Sequence, residues 1–359
     1  MMSGQANGGS APVVLEQVLD PAWLQQALYP SRPDVRVEAV DVVWTLSNTA
    51  TKIRAVLTLS GDCGDVPPHI CIKGMLGEKA QAYLPSGVSA KEVRFYQELA
   101  GPLSAAGMNL PTMIYGAIDP ANNHGLFIME DLVAEGCEFL SPLTPYSRDE
   151  ALASLAQLAR LHAETSPDSA HHARPWIEST LEQVAERSMV PVERLQVLLQ
   201  DGRSDAFPAA LRDATQVHGA LGLLAERLRG AARSCIHGDA HAGNLFRTAD
   251  GGIGVIDWQL IQRGCWAQDV AYHLGTALSV EARRDSEREL LDHYLDRLAA
   301  YGGPRIDREG GWAQYRMGML YGYYLWGITQ RVDRSIIEEL IHRLGTAVVD
   351  LDSFALVAG

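Results

Sequence analysis

Basic residues are in the minority in this chain of 359 residues. Lysine and arginine number 30 against 44 aspartate and glutamate residues, which gives a formal net charge of −14 at pH 7. Proteins that bind nucleic acid regardless of its sequence need a basic face for the phosphates. Because of this charge balance, we expect no nucleic-acid partner. It selects no other substrate, because most carboxylates lie on solvated helix faces.

Paired cysteines and long apolar runs are also missing. The five cysteines are odd in number and include no C-x-x-C pair, so we expect reduced thiols and a cytoplasmic protein. The apolar segment 312–328 contains Gln314 and Arg316 and is shorter than the roughly 20 apolar residues of a membrane helix. It predicts a buried helix and no membrane partner. Residues 1–11 lack the features of a signal peptide and are expected to be a disordered tail.

The pattern of apolar residues changes near residue 132. Before it, β-branched runs predict an antiparallel sheet, with strands near 40–44, 52–59, 69–72, 112–118 and 126–129. A helix capped by Ser89 and ended by Gly101-Pro102 should separate the third and fourth strands. Beyond residue 132, helical periodicity dominates. The sequence thus predicts an α+β fold of two lobes, a sheet lobe (1–131) and a mainly helical lobe (132–359).

A β-rich island at 234–259 interrupts the helical part and holds a dense group of polar residues. Asp239 and Asn244 are five positions apart, the spacing of the protein kinase catalytic loop H-R-D-x-x-x-x-N. Asp257 lies on the following hairpin, like the aspartate of D-F-G. Phosphoryl transfer requires a carboxylate that accepts the hydroxyl proton and oxygen ligands for a metal ion. The three residues can supply these groups, and magnesium prefers such oxygen ligands.

The same island permits a second interpretation. In an extended strand His237, Asp239 and His241 would project to one side and could bind a transition metal, as in a metallohydrolase. A histidine beside a catalytic loop can instead bind backbone groups or orient the aspartate. The other histidines of the chain form no dense second cluster.

Residues of the sheet lobe favour phosphoryl transfer. Lys73 ends a predicted strand and Glu92 lies in the first turn of the next helix. We therefore predict the ion pair that holds a phosphate-binding lysine in protein kinases. The alternative for Glu92 is a capping box with Ser89. The segment 126–132 resembles a kinase hinge, in which backbone groups of Glu130 and Leu132 can face an adenine edge.

Together these motifs resemble the aminoglycoside phosphotransferase and choline kinase superfamily, including its ecdysteroid kinase-like branch, over residues 35–345. The most specific segments are HGDAHAGN at 237–244 and VIDW at 255–258. The resemblance implies a protein-kinase-like fold and a nucleotide-binding sheet lobe. It also implies ATP or GTP as co-substrate with Mg²⁺, and transfer of the γ-phosphate to a hydroxyl of a small molecule.

The resemblance further implies a role for each matching residue. Asp239 is the catalytic base, and Asn244 and Asp257 bind the metal ion. Lys73, held by Glu92, contacts the α- and β-phosphates. Glu130 and Leu132 bind the base through their backbone, and Asp269 stabilises the catalytic loop. Independently of the resemblance, we expect His237 and His241 to support this loop.

Two features depart from the kinase pattern. The G-x-G-x-x-G phosphate loop of protein kinases is absent, and residues 44–51 occupy its place. Small polar residues can present amides and hydroxyls to phosphates, so Ser47, Asn48 and Thr49 are predicted phosphate contacts. Gln259 stands where many relatives have an acidic residue, so we expect one magnesium ion rather than two.

The phosphate acceptor and the oligomeric state stay open. Six aromatic residues of one C-terminal segment either line an apolar pocket or belong to the core: Trp312, Tyr315, Tyr321, Tyr323, Tyr324 and Trp326. Because no cluster of carboxylates near the C-terminus suits an aminoglycoside, an apolar alcohol or an amino alcohol is the preferred acceptor. Aminoglycoside phosphotransferase is an alternative. A nucleotide-binding pseudokinase is an alternative of another class.

Overall fold

The computed structural model describes residues 11–82, 86–172 and 174–359. These residues group into two compact units. Unit 1 contains the described residues up to Ser104, Leu110–Glu138 and Ile256–Leu260, and unit 2 contains Ala105–Asn109, Phe139–Val255 and Ile261–Gly359. The segments 132–138 and 256–260 thus group with the sheet, whereas the sequence pattern assigned both to the helical lobe.

Of the predicted disordered tail at 1–11, residues 1–10 lie outside the described residues, so only residue 11 can be compared with the structure. Ala11 is buried, and its carbonyl oxygen lies 3.1 Å from Nδ1 of His124. The prediction of disorder is therefore wrong for residue 11.

All five cysteines are free thiols, as the sequence analysis expected.

Unit 1 is built on a five-stranded sheet. Its strands are β1 (Arg36–Ser47), β2 (Thr51–Ser60), β3 (His69–Gly74), β4 (Met113–Asp119) and β5 (His124–Glu130). Their order is β1-β2-β3-β5-β4, and each neighbouring pair is antiparallel. Alternate residues of β2, including Ile53, Ala55 and Leu57, are buried, as the period of two in a strand requires. The predicted antiparallel sheet is confirmed.

Five short helices accompany this sheet: α1 (Leu15–Val18), α2 (Pro21–Leu28), α3 (Glu78–Gln81), α4 (Val88–Phe95) and α5 (Gly101–Ala105). Helix α2 starts with proline in its first turn, and the Asp20 carboxylate accepts a hydrogen bond from the Ala22 amide at 3.0 Å. Its Trp23 packs edge-on against Tyr115 of β4, with ring centroids 5.7 Å apart. The sequence pattern did not predict α1 and α2.

Helix α4 differs from the prediction at both ends. Gly87 precedes it with φ of 66°, a conformation that glycine adopts without strain. Ser89 lies inside the helix, where its hydroxyl accepts a hydrogen bond from the Gly125 amide at 3.0 Å. The predicted Ser89 cap is therefore wrong. The predicted stop at Gly101-Pro102 is also wrong, because a π-helical turn over Tyr96–Ala100 leads into α5, where an early proline is tolerated.

The rest of the chain is mainly helical. Its helices are α6 (Arg148–Glu164), α7 (Thr180–Glu186), α8 (Val192–Leu199), α9 (Ala214–Arg227), α10 (Trp266–Ala277), α11 (Val280–Ala300), α12 (Arg308–Ile328), α13 (Arg334–Asp350) and α14 (Ser353–Ala358). Its short strands are β6 (Glu138–Phe139), β7 (Arg233–Ile236), β8 (Leu245–Arg247), β9 (Ile253–Val255) and β10 (Gln262–Cys265). Strands β8 and β9 form a hairpin in which Leu245 pairs with Val255.

Helix α12 lies in the core of unit 2. From Tyr315 to Gly327 only Arg316 is not buried, so the buried helix predicted at 312–328 is confirmed. Within the described ranges, no helix combines the length and apolar character needed to cross a membrane. The α+β class with an antiparallel sheet and a helical part is likewise confirmed.

Candidate functional site

The predicted lysine–glutamate ion pair is present in unit 1. Lys73 lies on β3 and Glu92 on α4, and Lys73 Nζ lies 2.9 Å from Oε1 and 2.7 Å from Oε2 of Glu92. Only 5% and 1% of these side chains are exposed. Glu92 Oε1 also accepts a hydrogen bond from the Trp258 amide at 3.2 Å. Since Ser89 is not the helix cap, the capping-box interpretation of Glu92 is wrong.

Asp257 joins this pair from the segment after β9. Its Oδ1 accepts a hydrogen bond from Lys73 Nζ at 2.9 Å, and its Oδ2 accepts one from Lys52 Nζ at 3.0 Å. Burial alone would raise the pKa of Asp257, but the two ammonium groups outweigh burial and hold that pKa well below its usual range. Asp257 is therefore ionised throughout the physiological pH range.

The backbone of Asp257 has an uncommon conformation. Its φ is 66°, in the left-handed region that residues other than glycine seldom adopt. Such conformations persist where their surroundings hold them, and they concentrate at functional sites. Trp258 provides part of that hold, because its buried ring stacks on Phe95 with centroids 3.8 Å apart and planes 11° from parallel. The carboxylate of Asp257 is thereby fixed in place.

Lys73 keeps its positive charge despite its burial. Burial disfavours an ammonium group, but the carboxylates of Asp257 and Glu92 outweigh this effect and raise the pKa of Lys73. Burial raises the pKa of Glu92, and the attraction of Lys73 offsets only part of that increase. The result is one charged lysine held between two acidic side chains.

The segment predicted to bind the nucleotide base has a well-defined backbone. The Glu130 amide donates to the Thr112 carbonyl at 3.1 Å, and Glu130 Oε1 accepts from the Thr112 amide at 2.8 Å. The Leu132 carbonyl accepts a hydrogen bond from the Cys137 amide at 2.8 Å. The chain's own hydrogen bonds therefore hold this segment, and its role in binding a base stays a prediction.

The three predicted phosphate contacts lie where β1 turns into β2. The hydroxyl groups of Ser47 and Thr51 lie 3.0 Å apart across this turn, and the Asn48 amide donates to the Ala50 carbonyl at 3.1 Å. Ser47 and Asn48 are exposed, and Thr49 is half-buried. Phosphate contacts at these residues stay a prediction.

Asp269 anchors the loop 237–244 within unit 2. It lies in the first turn of α10, where its Oδ2 accepts from the His237 amide at 2.6 Å and its Oδ1 from the Gly238 amide at 2.8 Å. His162 Nε2 lies 3.1 Å from Oδ2. Burial raises the pKa of Asp269, but these hydrogen bonds and the nearby histidines outweigh burial and lower it. Such contacts are those expected of a residue that stabilises the loop.

His237 and His241 bind backbone amides of their own loop. The Asp239 amide donates to His237 Nδ1 at 3.2 Å, and the Gly243 amide donates to His241 Nδ1 at 3.1 Å. In the part of the chain that the structure describes, no group of three or more His, Cys, Asp or Glu side chains could hold a metal ion. The geometry therefore favours the supporting interpretation of both histidines over a transition-metal site.

The Asp239 carboxylate is held through both of its oxygens. The Tyr272 hydroxyl of α10 donates to Oδ1 at 2.8 Å. The Asn244 side-chain nitrogen donates to the Asp239 carbonyl at 2.8 Å and to Oδ2 at 3.2 Å. Because these bonds use the Asn244 nitrogen, they leave its amide oxygen for a hard metal ion. The Asp239 side chain is 28% exposed, so a small molecule can reach it.

Tyr272 was missed in the sequence, although a signal exists in its spacing from Asp269. Positions i, i+3 and i+4 of a helix share one face, and here they are Asp269, Tyr272 and His273. His273 Nδ1 lies 2.9 Å from the Ala240 carbonyl. Burial raises the pKa of Tyr272 well above its usual value, so its hydroxyl stays a donor. Gly322 of α12 makes room for the ring, because a Cβ there would lie 2.7 Å from Tyr272 Cδ2.

Lys52 is the second residue that sequence reasoning missed. It is the second residue of β2 and is paired with Lys73 in the sheet. Its partner Asp257 lies 205 positions further along the chain, so no local pattern connects the two. The alternation of residues along β2 was the one available signal, since it gives the face on which Lys52 lies.

Five of the six aromatic residues of α12 belong to the core, and Trp312 is half-buried and packs against it. At most 4% of each is exposed for Tyr315, Tyr321, Tyr323, Tyr324 and Trp326. Tyr321 donates its hydroxyl to the Gly238 carbonyl at 2.8 Å, and Tyr323 donates to the Leu211 carbonyl at 2.7 Å. Because these side chains are packed and their hydroxyls bonded, they provide no argument for an apolar acceptor pocket.

Comparison with known proteins gives one family and one fold. A family model described as the phosphotransferase enzyme family, APH, matches residues 44–317, more than half of the chain. No curated protein matches the chain in sequence.

Several solved structures share the fold. An ethanolamine kinase of Plasmodium vivax has a TM-score of 0.52 at 11% identity, over 92% of this chain and 85% of its own. A choline kinase of Cryptosporidium parvum Iowa II has a TM-score of 0.53 at 12% identity, over 94% and 93%. Aminoglycoside 2'-phosphotransferase-IIIa, solved as a GDP complex, has a TM-score of 0.51 at 13% identity, over 92% and 99%. The predicted kinase-like fold is confirmed.

Proposed function

As the chain belongs to the phosphotransferase enzyme family, we propose that it is a kinase that transfers the γ-phosphate of ATP or GTP to a hydroxyl of a small molecule. The observation that carries this proposal is the contact of Lys73 with both Glu92 and Asp257. A kinase needs a lysine for the phosphates, a glutamate to hold that lysine and an aspartate for the metal ion. Three distant parts of the sequence supply these residues, and the fold brings them together in unit 1.

Asp239 is the proposed catalytic base. Its carboxylate accepts the proton of the acceptor hydroxyl while the hydroxyl oxygen forms a bond to the γ-phosphorus. The bond between that phosphorus and the β–γ bridging oxygen breaks, and the nucleoside diphosphate leaves. The hydrogen bonds from Tyr272 and Asn244 support this role, because they orient the carboxylate before the acceptor arrives.

Asn244 and Asp257 are the proposed magnesium ligands. Magnesium typically takes one or two protein carboxylates and completes its shell with phosphates and water. The ionised Asp257 carboxylate and the Asn244 amide oxygen, which its hydrogen bonds leave unused, fit this preference. When bound, the ion would supply positive charge that offsets the negative charge of the phosphates. A single ion is proposed because Gln259 stands where many relatives have an acidic residue.

The nucleotide roles of the other sheet residues rest on the same proposal. Lys73 contacts the α- and β-phosphates, and backbone groups of Glu130 and Leu132 bind the base. The turn at 47–49 contributes small polar groups near the phosphates. One similar structure is a GDP complex, so GTP is tested beside ATP.

The acceptor is proposed to be a small alcohol or amino alcohol. Two of the similar structures are named choline kinase and ethanolamine kinase, and both of those names refer to amino alcohols. Aminoglycosides are the second candidate, because a third similar structure bears that name. These likenesses select the compounds to test and do not choose between them.

Acceptor-stimulated release of ADP or GDP tests the proposed function. The panel consists of choline, ethanolamine, apolar alcohols, sterols and kanamycin, each with Mg²⁺ and either ATP or GTP. We expect one class to raise ADP or GDP release above the rate without acceptor, and ATP with Mg²⁺ to raise the unfolding temperature. Hydrolysis that depends on zinc and needs no nucleotide would favour the metallohydrolase. ATP binding without transfer to any acceptor would favour a pseudokinase.

A further inference from the structure

Strands β2 and β3 bring two lysines directly opposite one another. Lys52 is paired with Lys73 in the antiparallel register, so both side chains leave the sheet on the same face. Like charges in this arrangement destabilise a sheet. Asp257 offsets the repulsion, because one of its oxygens accepts from Lys52 at 3.0 Å and the other from Lys73 at 2.9 Å.

The two lysines differ in their surroundings. The Lys73 side chain is 5% exposed and also contacts Glu92. The Lys52 side chain is 30% exposed, and among the residues that the structure describes Asp257 is its one carboxylate partner. Lys52 is therefore not needed to hold Glu92, and a dissolved anion can reach its ammonium group.

Lys52, Lys73, Glu92 and Asp257 form a charged cluster, and its charges indicate which kind of anion would bind there. Two ammonium groups and the carboxylates of Glu92 and Asp257 balance one another. If Asp257 shares its charge with a divalent ion, as proposed, the cluster gains two positive charges. A polyphosphate neutralises such an excess, and Lys52 is the cation of the cluster that solvent reaches.

The position of Lys52 in the sequence points to the same ligand. It lies just after the turn between β1 and β2, where the chain lacks the glycine-rich loop that covers the phosphates in protein kinases. Such loops bind phosphate through backbone amides, and a lysine ammonium can provide a point charge instead. Building on the proposed kinase function, we propose that Lys52 is a second phosphate-binding residue, which contacts the β- and γ-phosphates of a nucleoside triphosphate.

Nucleotide binding by the variant Lys52→Met tests this role. Dissociation constants of the full chain for ATP, ADP and adenosine are measured by calorimetry in the presence of Mg²⁺. Lys52→Met should weaken ATP and ADP binding by about tenfold or more and leave adenosine binding unchanged. Lys52→Arg keeps the charge and should retain most of the affinity. Lys91→Met on α4 removes the same charge elsewhere and should leave all three constants unchanged.

The results of these binding measurements distinguish a failure of the role of Lys52 from a failure of the proposed kinase function. Equal ATP affinity in the wild type and in Lys52→Met would overturn the role of Lys52. An equal loss of ATP and adenosine affinity, with a lowered unfolding temperature of the free protein, would assign Lys52 to folding and overturn the role as well. If the wild type binds no nucleotide, the proposed function fails, and this inference fails with it.

Discussion

At the scale of single residues, the proposed base is held by a partner outside its own loop. Tyr272 donates to Asp239 Oδ1 at 2.8 Å, and its buried ring cannot turn away because α12 packs against it. A carboxylate fixed in this way needs little reorganisation when the acceptor hydroxyl arrives. Tyr272 is therefore a positioning residue, and its hydroxyl should affect turnover more than binding.

Removing that hydroxyl tests its role. In Tyr272→Phe we expect kcat to fall by about tenfold or more, because one hydrogen bond to a charged group is lost, while KM values for nucleotide and acceptor stay close to those of the wild type. Steady-state kinetics with the acceptor found by the screen provide the measurement. Tyr323→Phe removes a buried hydroxyl that bonds to Leu211 and is the matched control. An unchanged kcat in Tyr272→Phe would refute the positioning role.

At the scale of elements, helix α10 is the main support of the loop 237–244. One face of this helix presents three side chains to the loop, and they bind the backbone of His237, Gly238 and Ala240 and the side chain of Asp239. The loop geometry therefore depends on the helix remaining in place. His273 is the pH-sensitive member of this face, because burial lowers its pKa. Its other ring nitrogen, Nε2, lies 2.7 Å from the hydroxyl of Ser154.

The stability of the protein should decrease in mild acid because of His273. Burial lowers its pKa from 6.5 to about 4, and Asp269, His241 and His237 are the titratable groups that act on it. Between these two values the unfolded chain binds a proton that the folded chain does not, so the unfolding free energy falls as pH falls. From pH 7 to pH 5 this amounts to about 2 kcal/mol.

Urea unfolding at pH 7 and pH 5 measures this effect. His273→Gln should lose the part of the pH dependence that belongs to residue 273, whereas His69→Gln, at an exposed position of β3, should keep the wild-type dependence. An equal pH dependence in the wild type and in His273→Gln would contradict the account of this helix.

At the scale of the whole molecule, much of the fold and of the site could be predicted from local pattern. Alternation of apolar residues located the strands of unit 1, and the spacing of Asp239, Asn244 and Asp257 identified the candidate catalytic segment. Lys73 and Glu92 could be predicted as a pair, because a lysine near the end of a strand and a glutamate early in the next helix are local features. Their placement in the structure agrees with that expectation.

The remaining features depend on contacts between distant parts of the chain. Ser89 has the chemistry of a helix cap, but the Gly125 amide binds its hydroxyl, which no local pattern reveals. The proposed roles of Lys52 and Tyr272 depend on their contacts with Asp257 and Asp239, and only the fold brings these residues together. The aromatic residues of α12 form a visible local pattern, but helical spacing alone could not show whether they line a pocket or belong to the core.

In the proposed reaction, Asp239 accepts the proton of the acceptor while other residues bind the nucleotide. The most direct measurement is phosphoryl transfer by Asp239→Asn, with the ATP dissociation constant determined in parallel. We expect a loss of turnover of roughly a hundredfold to ten-thousandfold with the dissociation constant unchanged. Turnover at the wild-type rate in Asp239→Asn would contradict the role of Asp239 as base.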